Sequence, residues 1–104
     1  MQPIDDMTST SLRPQAVPTV QLENDRVKVT EWRFAPGAET GWHRHGMDYV
    51  VVPMTTASLL LETPQGELRS PLTAGVSYTR LTGVEHNVVN PNEHEFVFIE
   101  IELK

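Results

Sequence analysis

The chain has 104 residues, enough to bury one core and too few for two domains. Eight Lys and Arg stand against 14 Asp and Glu, a formal charge of -6 with no basic stripe to track phosphates, so nucleic acid and anionic membrane are poor partners. There is no cysteine, which excludes disulfides and thiolate ligands and leaves imidazole and oxygen as donors for any metal.

Residues 1–18 mix Asp5, Asp6, Thr8, Ser9, Thr10 and Ser11 with three prolines, a composition that buries too little apolar surface to offset its ordering entropy. It reads as a flexible N-terminal tail, or an arm that docks on a partner, ahead of a single barrel domain at 19–104. The opening run has no basic start followed by an apolar stretch, and nowhere do about 18 apolar residues run together. The expectation is a soluble cytoplasmic protein.

From Val20 onward, β-branched and aromatic runs alternate with turn signals about every 8 to 12 residues, the pattern of a sandwich or barrel. Predicted strands run from Val20 to Leu22 and from Arg26 to Phe34, the latter ending at the turn Pro36-Gly37. Next come Trp42 to His45 and Asp48 to Met54, with Pro53 near an end where a missing N–H is tolerated. Ser58 to Glu62 and Glu67 to Ser70 flank Thr63-Pro64-Gln65-Gly66, a four-residue hairpin loop. Val76 to Thr79, His86 to Val89 and Phe96 to Leu103 complete an all-β chain. In the last strand Val97, Ile99, Ile101 and Leu103 share one face and Glu100 and Glu102 the other, which predicts that the aliphatic side is buried and the acidic side wet.

Three of the four histidines carry the chemistry. Neighbouring strand residues point to opposite faces, so His43 and His45, two apart, can converge on one ion, and His86 follows a Gly-containing turn about forty residues later. The first stretch reads Gly37, five residues, His43-Arg44-His45, then Gly46-Met47-Asp48-Tyr49; the second reads Gly75, five residues, Leu81-Thr82-Gly83, two residues, His86, three residues, Asn90.

These two stretches resemble the paired motifs of the cupin superfamily: Gly, five residues, His-x-His, three or four residues, Glu; then Gly, five residues, Pro-x-Gly, two residues, His, three residues, Asn. Gly37, His43, His45, Gly75, Gly83, His86 and Asn90 fall on motif positions. Leu81 stands where the family usually has proline, and Tyr49 replaces the usual Glu, with Asp48 just before it. The resemblance implies a single-domain double-stranded β-helix, the jelly-roll barrel, with His43, His45 and His86 as metal ligands. The regions Val27 to Met54 and Phe96 to Lys104 are also similar to small stand-alone cupins associated with bacterial degradation of β-alanine and related short acids.

Strand parity makes Tyr49 the inward heir of the missing Glu, but a bulge at Gly46 would reset the parity and turn Asp48 inward instead. The site is then three histidines with a carboxylate, or three histidines with open positions and a phenol at the rim. Such a set suits Fe(II), Zn(II), Ni(II), Mn(II) or Cu(II), and the sequence does not rank them. Tyr49 is the nearby phenol and the candidate catalytic group. Arg33 and Arg80 are candidate substrate anchors, since a guanidinium grips a carboxylate bidentately; Arg44 points away by parity. His94, in a polar turn, reads as a solvated residue, and Asn90, just before Pro91, as a turn cap.

Trp32 and Phe34 lie on one phase of their strand and Val27 and Val29 on the other, which suggests a second covering layer and, with the resemblance, a homodimer. A three-histidine cupin is similar to iron-dependent dioxygenases, so the resemblance implies a metal-dependent oxygenase or isomerase acting on a small polar organic acid. The alternative is a non-catalytic cupin that binds or senses a small molecule.

Overall fold

The computed structural model describes residues 12–104. Nine strands follow one another: β1 Val17–Glu23, β2 Val27–Phe34, β3 His43–Arg44, β4 Asp48–Pro53, β5 Ala57–Thr63, β6 Gly66–Leu72, β7 Tyr78–Arg80, β8 Glu85–Val89 and β9 Phe96–Leu103. They form two antiparallel sheets, β1-β2-β9-β4-β7 and β3-β8-β5-β6, whose facing sides enclose the interior of an all-β barrel. Among the described residues no helix is long and apolar enough to cross a membrane.

The first of these sheets is held by β9, which pairs along its whole length with β2 and along most of it with β4. Thr30 and Phe34 of β2 are buried, and so are Phe96, Phe98 and Glu100 of β9 and Tyr49 and Val51 of β4. The phase of β9 is therefore opposite to the sequence expectation. Phe96 and Phe98 are the bulkiest inward groups available, and they dock with Phe34, whose ring centroid lies 5.4 Å from that of Phe98. Two buried phenyl rings outweigh the aliphatic run. They carry Glu100 inward, while Val97, Ile99 and Ile101 are left half-buried on the outer face.

The predicted hairpin at Thr63 to Gly66 is present: Thr63 pairs with Gly66, which has φ of 109°, and Thr63 Oγ1 donates to the Gly66 carbonyl at 2.8 Å. The predicted tail extends too far. Residues 1–11 of it lie outside the described residues, but the chain is fixed well before residue 19. Gln15 bridges Glu39, the Ala16 amide donates to the Glu39 carbonyl at 2.8 Å, Ala16 is 1% exposed, and Val17 and Pro18 already belong to β1. Backbone pairing along Glu39 supplies what the polar composition lacks.

Ala16, Phe34, Ala38 and Phe96 pack one part of the interior solid, and Asn90, fully buried beside them, donates from Nδ2 to the carbonyls of Phe34, Ala35 and His94. This is the turn-capping role expected of it. Val51, Leu59, Val88 and Phe98 belong both to this core and to the wall of a cavity of about 880 Å³. The solid part is what lets the other part stay hollow. Phe34→Ala removes a fully buried ring at the junction of β2 and β9, and should lower unfolding stability by about 3–5 kcal/mol in denaturant titrations; a loss below about 1 kcal/mol would mean the ring is not a keystone.

Candidate metal centre

His43 and His86 are directly opposite partners on β3 and β8, and His45 lies just beyond the end of β3, its amide donating to the Val84 carbonyl at 2.8 Å. All three side chains border the cavity. His43 Nε2 stands 3.0 Å from His45 Nε2, and His45 Nε2 stands 3.2 Å from His86 Nε2. The ligand atoms of the trio all lie within 4.8 Å of one another. The structure thus brings together the three histidines that the spacing singled out.

These distances test whether one metal ion fits. Nitrogens bonded to one ion at about 2.0–2.1 Å are about 2.9 Å apart when the bonds are at right angles and about 3.4 Å apart at the tetrahedral angle. The two measured separations fall in that interval. Protonation supports the same use. His43 Nδ1 donates to the Gly41 carbonyl at 2.8 Å, so in the neutral ring the lone pair is on Nε2, which faces the other rings. Burial pushes the imidazolium pKa of both His45 and His86 down to about 4, so both are neutral ligands at neutral pH.

The aim of His43 depends on an irregularity that the strand reading did not anticipate. The Thr40 amide donates to the Val88 carbonyl, yet the next opposed pair is His43 with His86, so three steps on one strand match two on the other. The extra residue falls at Gly41, whose φ of 89° suits glycine. Without it Trp42 would point inward. Asn87, opposite the irregularity and buried, accepts the Gly41 amide on Oδ1 at 2.9 Å. Its Nδ2 donates to Glu39 and Glu62 at 2.8 and 2.9 Å, and Arg13 bridges the same two carboxylates at 3.0 Å each. The segment before β1 is thus tied, through Asn87 and Gly41, to the carbonyl that orients His43. A glycine just ahead of His-x-His was the available signal.

The other sheet faces the trio. Tyr49 is 3% exposed and its ring stacks on His45, with centroids 3.9 Å apart and planes 21° from parallel. Of the two outcomes left open at Gly46, the structure takes the one with Tyr49 inward. Asp48 Oδ1 instead accepts the Thr82 amide at 2.7 Å and fixes the turn before His86. Burial and the nearby Glu100 raise the Tyr49 phenol pKa, so at neutral pH the metal-free protein holds it as a phenol. Glu100, read as wet in the sequence, is buried among these groups; Trp32 Nε1 donates to its Oε1 at 3.3 Å, and its Oε2 lies 4.0 Å from His45 Nδ1. Burial pushes its carboxyl pKa up to about 7.

The two arginine anchors separate. Arg80 borders the cavity, its guanidinium 4.5 Å from the Tyr78 ring centroid. Arg33 does not: with Trp32 inward, parity turns Arg33 outward, where it pairs with Glu31 at 3.2 Å and Glu95 at 2.8 Å on the surface. Arg33 is corrected from substrate anchor to surface ion-pair residue. Arg44 is exposed opposite Glu85, whose carboxylate takes the Trp42 indole N–H at 2.7 Å. His94 is exposed, as expected.

No family model matches the chain. A Pseudomonas aeruginosa protein named beta-alanine degradation protein BauB is 67% identical over 92 residues, spanning 88% of this chain and 97% of that protein. The crystal structure of a cupin domain from Bordetella pertussis Tohama I is 72% identical, covers 90% of this chain and 98% of its own, and superposes with a TM-score of 0.89. A cupin superfamily protein from Desulfitobacterium hafniense is 14% identical over 89% of this chain and 81% of its own, with a TM-score of 0.67, a likeness of fold alone.

The depressed pKa values of His45 and His86 have a consequence for stability without metal. Both groups bind protons more weakly folded than unfolded, so their contribution is present above pH about 6.5 and is lost as pH falls toward about 4. The melting temperature of chelator-treated protein should fall across that window. A His45→Gln/His86→Gln double variant should show a shallower fall; an equal slope would remove these rings as the titrating groups.

Proposed function

The chain belongs to the cupin superfamily, and we propose that it holds one divalent transition metal on His43, His45 and His86, beside a cavity that takes a small polar organic acid. The observation that carries this reading is that His43–His45 and His45–His86 Nε2 separations of 3.0 and 3.2 Å are ones a shared ion would impose, with the ligand atoms of all three within 4.8 Å of one another. The set contains only neutral nitrogen donors, which suits Fe(II), Zn(II), Ni(II), Mn(II) or Cu(II). Such a metal, when bound, supplies Lewis acidity and open coordination positions for a substrate.

The residues of the chain set the rest of the environment. Arg80, at the cavity border, offers a guanidinium to a carboxylate. Tyr49 and Trp32 wall the cavity, and the Tyr49 ring covers one face of His45. The Tyr49 hydroxyl, held as a phenol, is a proton donor beside the trio. These features support a metal-dependent enzyme of the oxygenase or isomerase type, and the name of the Pseudomonas relative, which concerns β-alanine degradation, agrees with a short organic acid as substrate. A cupin that binds or senses such an acid without turning it over would need the same cavity but no reaction.

We also propose a homodimer in the cytoplasm. The outer face of β2, β9 and β4 carries Val29, Ile101 and Val50 in one paired row and Ile99 and Val52 in the next, an aliphatic surface on the sheet's central strands that a second copy of the same face would cover. Light scattering should give twice the chain mass, and Ile101→Lys should halve it; a monomeric parent protein would refute the pairing.

Metal content of protein purified without added metal tests the main assignment. The parent protein should carry close to one equivalent and His86→Ala a small fraction of that; equal occupancy would take His86 out of the site. Oxygen uptake by iron-loaded protein with a panel of short carboxylates and amino acids then separates the readings. Substrate-dependent uptake supports an oxygenase, whereas tight binding without uptake or isomerised product supports the binding cupin.

A further inference from the structure

The first of the two cupin-like motifs lacks its carboxylate, since Tyr49 stands in its place, yet a carboxylate is present beside the trio. Glu100 comes from β9, on the opposite sheet, and is buried, with a relative exposure of 9%. Trp32 Nε1 holds Oε1 at 3.3 Å. Oε2 has no hydrogen-bond donor among the described residues and lies 4.0 Å from His45 Nδ1.

His45 has the complementary need. Its Nε2 is the middle atom of the three converging nitrogens, 3.0 Å from one neighbour and 3.2 Å from the other, so Nε2 is the edge turned to a metal. The ring proton then sits on Nδ1, at the far edge, in a site only 7% exposed. His43 solves the same problem with the Gly41 carbonyl. His45 has no such carbonyl among the described residues. A buried acceptor without a donor and a buried donor without an acceptor thus face each other, and a buried group left unpaired is costly.

Resting on the three-histidine reading above, we propose that Glu100 is a positioning residue that accepts the Nδ1 proton of His45, directly or through one water, and so supplies from β9 an outer-sphere carboxylate to the metal site. It is not a fourth ligand, because it stands at the Nδ1 edge of the ring and the converging nitrogens lie at the Nε2 edge. The interaction fixes the His45 tautomer and increases the basicity of Nε2. Trp32, by holding the other oxygen, keeps the carboxylate from turning away.

The test is a Co(II) titration of metal-free full-length protein, followed by affinity and the visible ligand-field spectrum. Glu100→Leu, with no acceptor, should bind Co(II) about 10- to 100-fold more weakly, the usual cost of losing such a partner. Glu100→Gln, which keeps an acceptor oxygen but not the charge, should fall between Leu and the parent and shift the spectrum less. Glu102→Gln, two residues along the same strand, should match the parent. Melting of the metal-free variants separates positioning from scaffolding: removing a buried carboxylate should leave the melting temperature unchanged or higher while affinity falls. Parent-like Co(II) affinity in both Glu100 variants would overturn the proposal with the metal site intact, as would an affinity loss that merely tracks a lowered melting temperature. Failure of the parent protein itself to bind Co(II) would overturn the three-histidine reading and this proposal together.

Discussion

Three neutral imidazoles meeting nitrogen to nitrogen cannot all be satisfied by one another. With His43 Nδ1 donating to Gly41, its Nε2 carries a lone pair, and a proton on the middle nitrogen, His45 Nε2, could serve only one of its two neighbours at 3.0 and 3.2 Å. One of the two contacts lacks a hydrogen bond in every neutral arrangement, and protonating His45 or His86 to relieve it is opposed by burial, which holds both near pKa 4. A shared cation resolves the conflict. Much of the barrel around the trio can be understood as what keeps these rings in that arrangement.

The two sheets divide this task. The sheet of β3, β8, β5 and β6 provides the donors, through the irregularity at Gly41 that turns His43 inward and the Asn87 network that fixes the Gly41 carbonyl. The opposite sheet provides the environment. Tyr49 lies flat on His45, Glu100 stands at its outer edge, and Trp32 ties Glu100 down. The chain crosses from the donor sheet to the environment sheet between His45 and Tyr49, so a few residues contribute to both walls.

Much of this was legible in the residues. The strands were located to within a few positions because turn residues separate β-branched runs, and the trio followed from parity plus the motif spacing. What was not legible has identifiable physical causes. The phase of β9 could not be read from alternation, because both of its faces carry apolar residues; Phe96 and Phe98 decide it by packing on Phe34, a contact remote in sequence. Glu100 was lost with that phase. Arg33 was overvalued because Glu95, its partner at 2.8 Å, reaches it only once β2 pairs with β9, and because the local partner Glu31, two residues before it on the same face of β2, was given too little weight. The segment before β1 looked unstructured because its partners are backbone atoms of Glu39 and the acidic side chains that meet Arg13, none of which composition reveals.

The central claim is that His43, His45 and His86 share one ion. X-ray absorption fine structure of protein loaded with one equivalent of Zn(II) tests it most directly. A shared ion requires a first shell containing three imidazole nitrogens at about 2.0–2.1 Å, with the outer-shell scattering of intact rings. A shell dominated by oxygen, or one with a single imidazole, would contradict it.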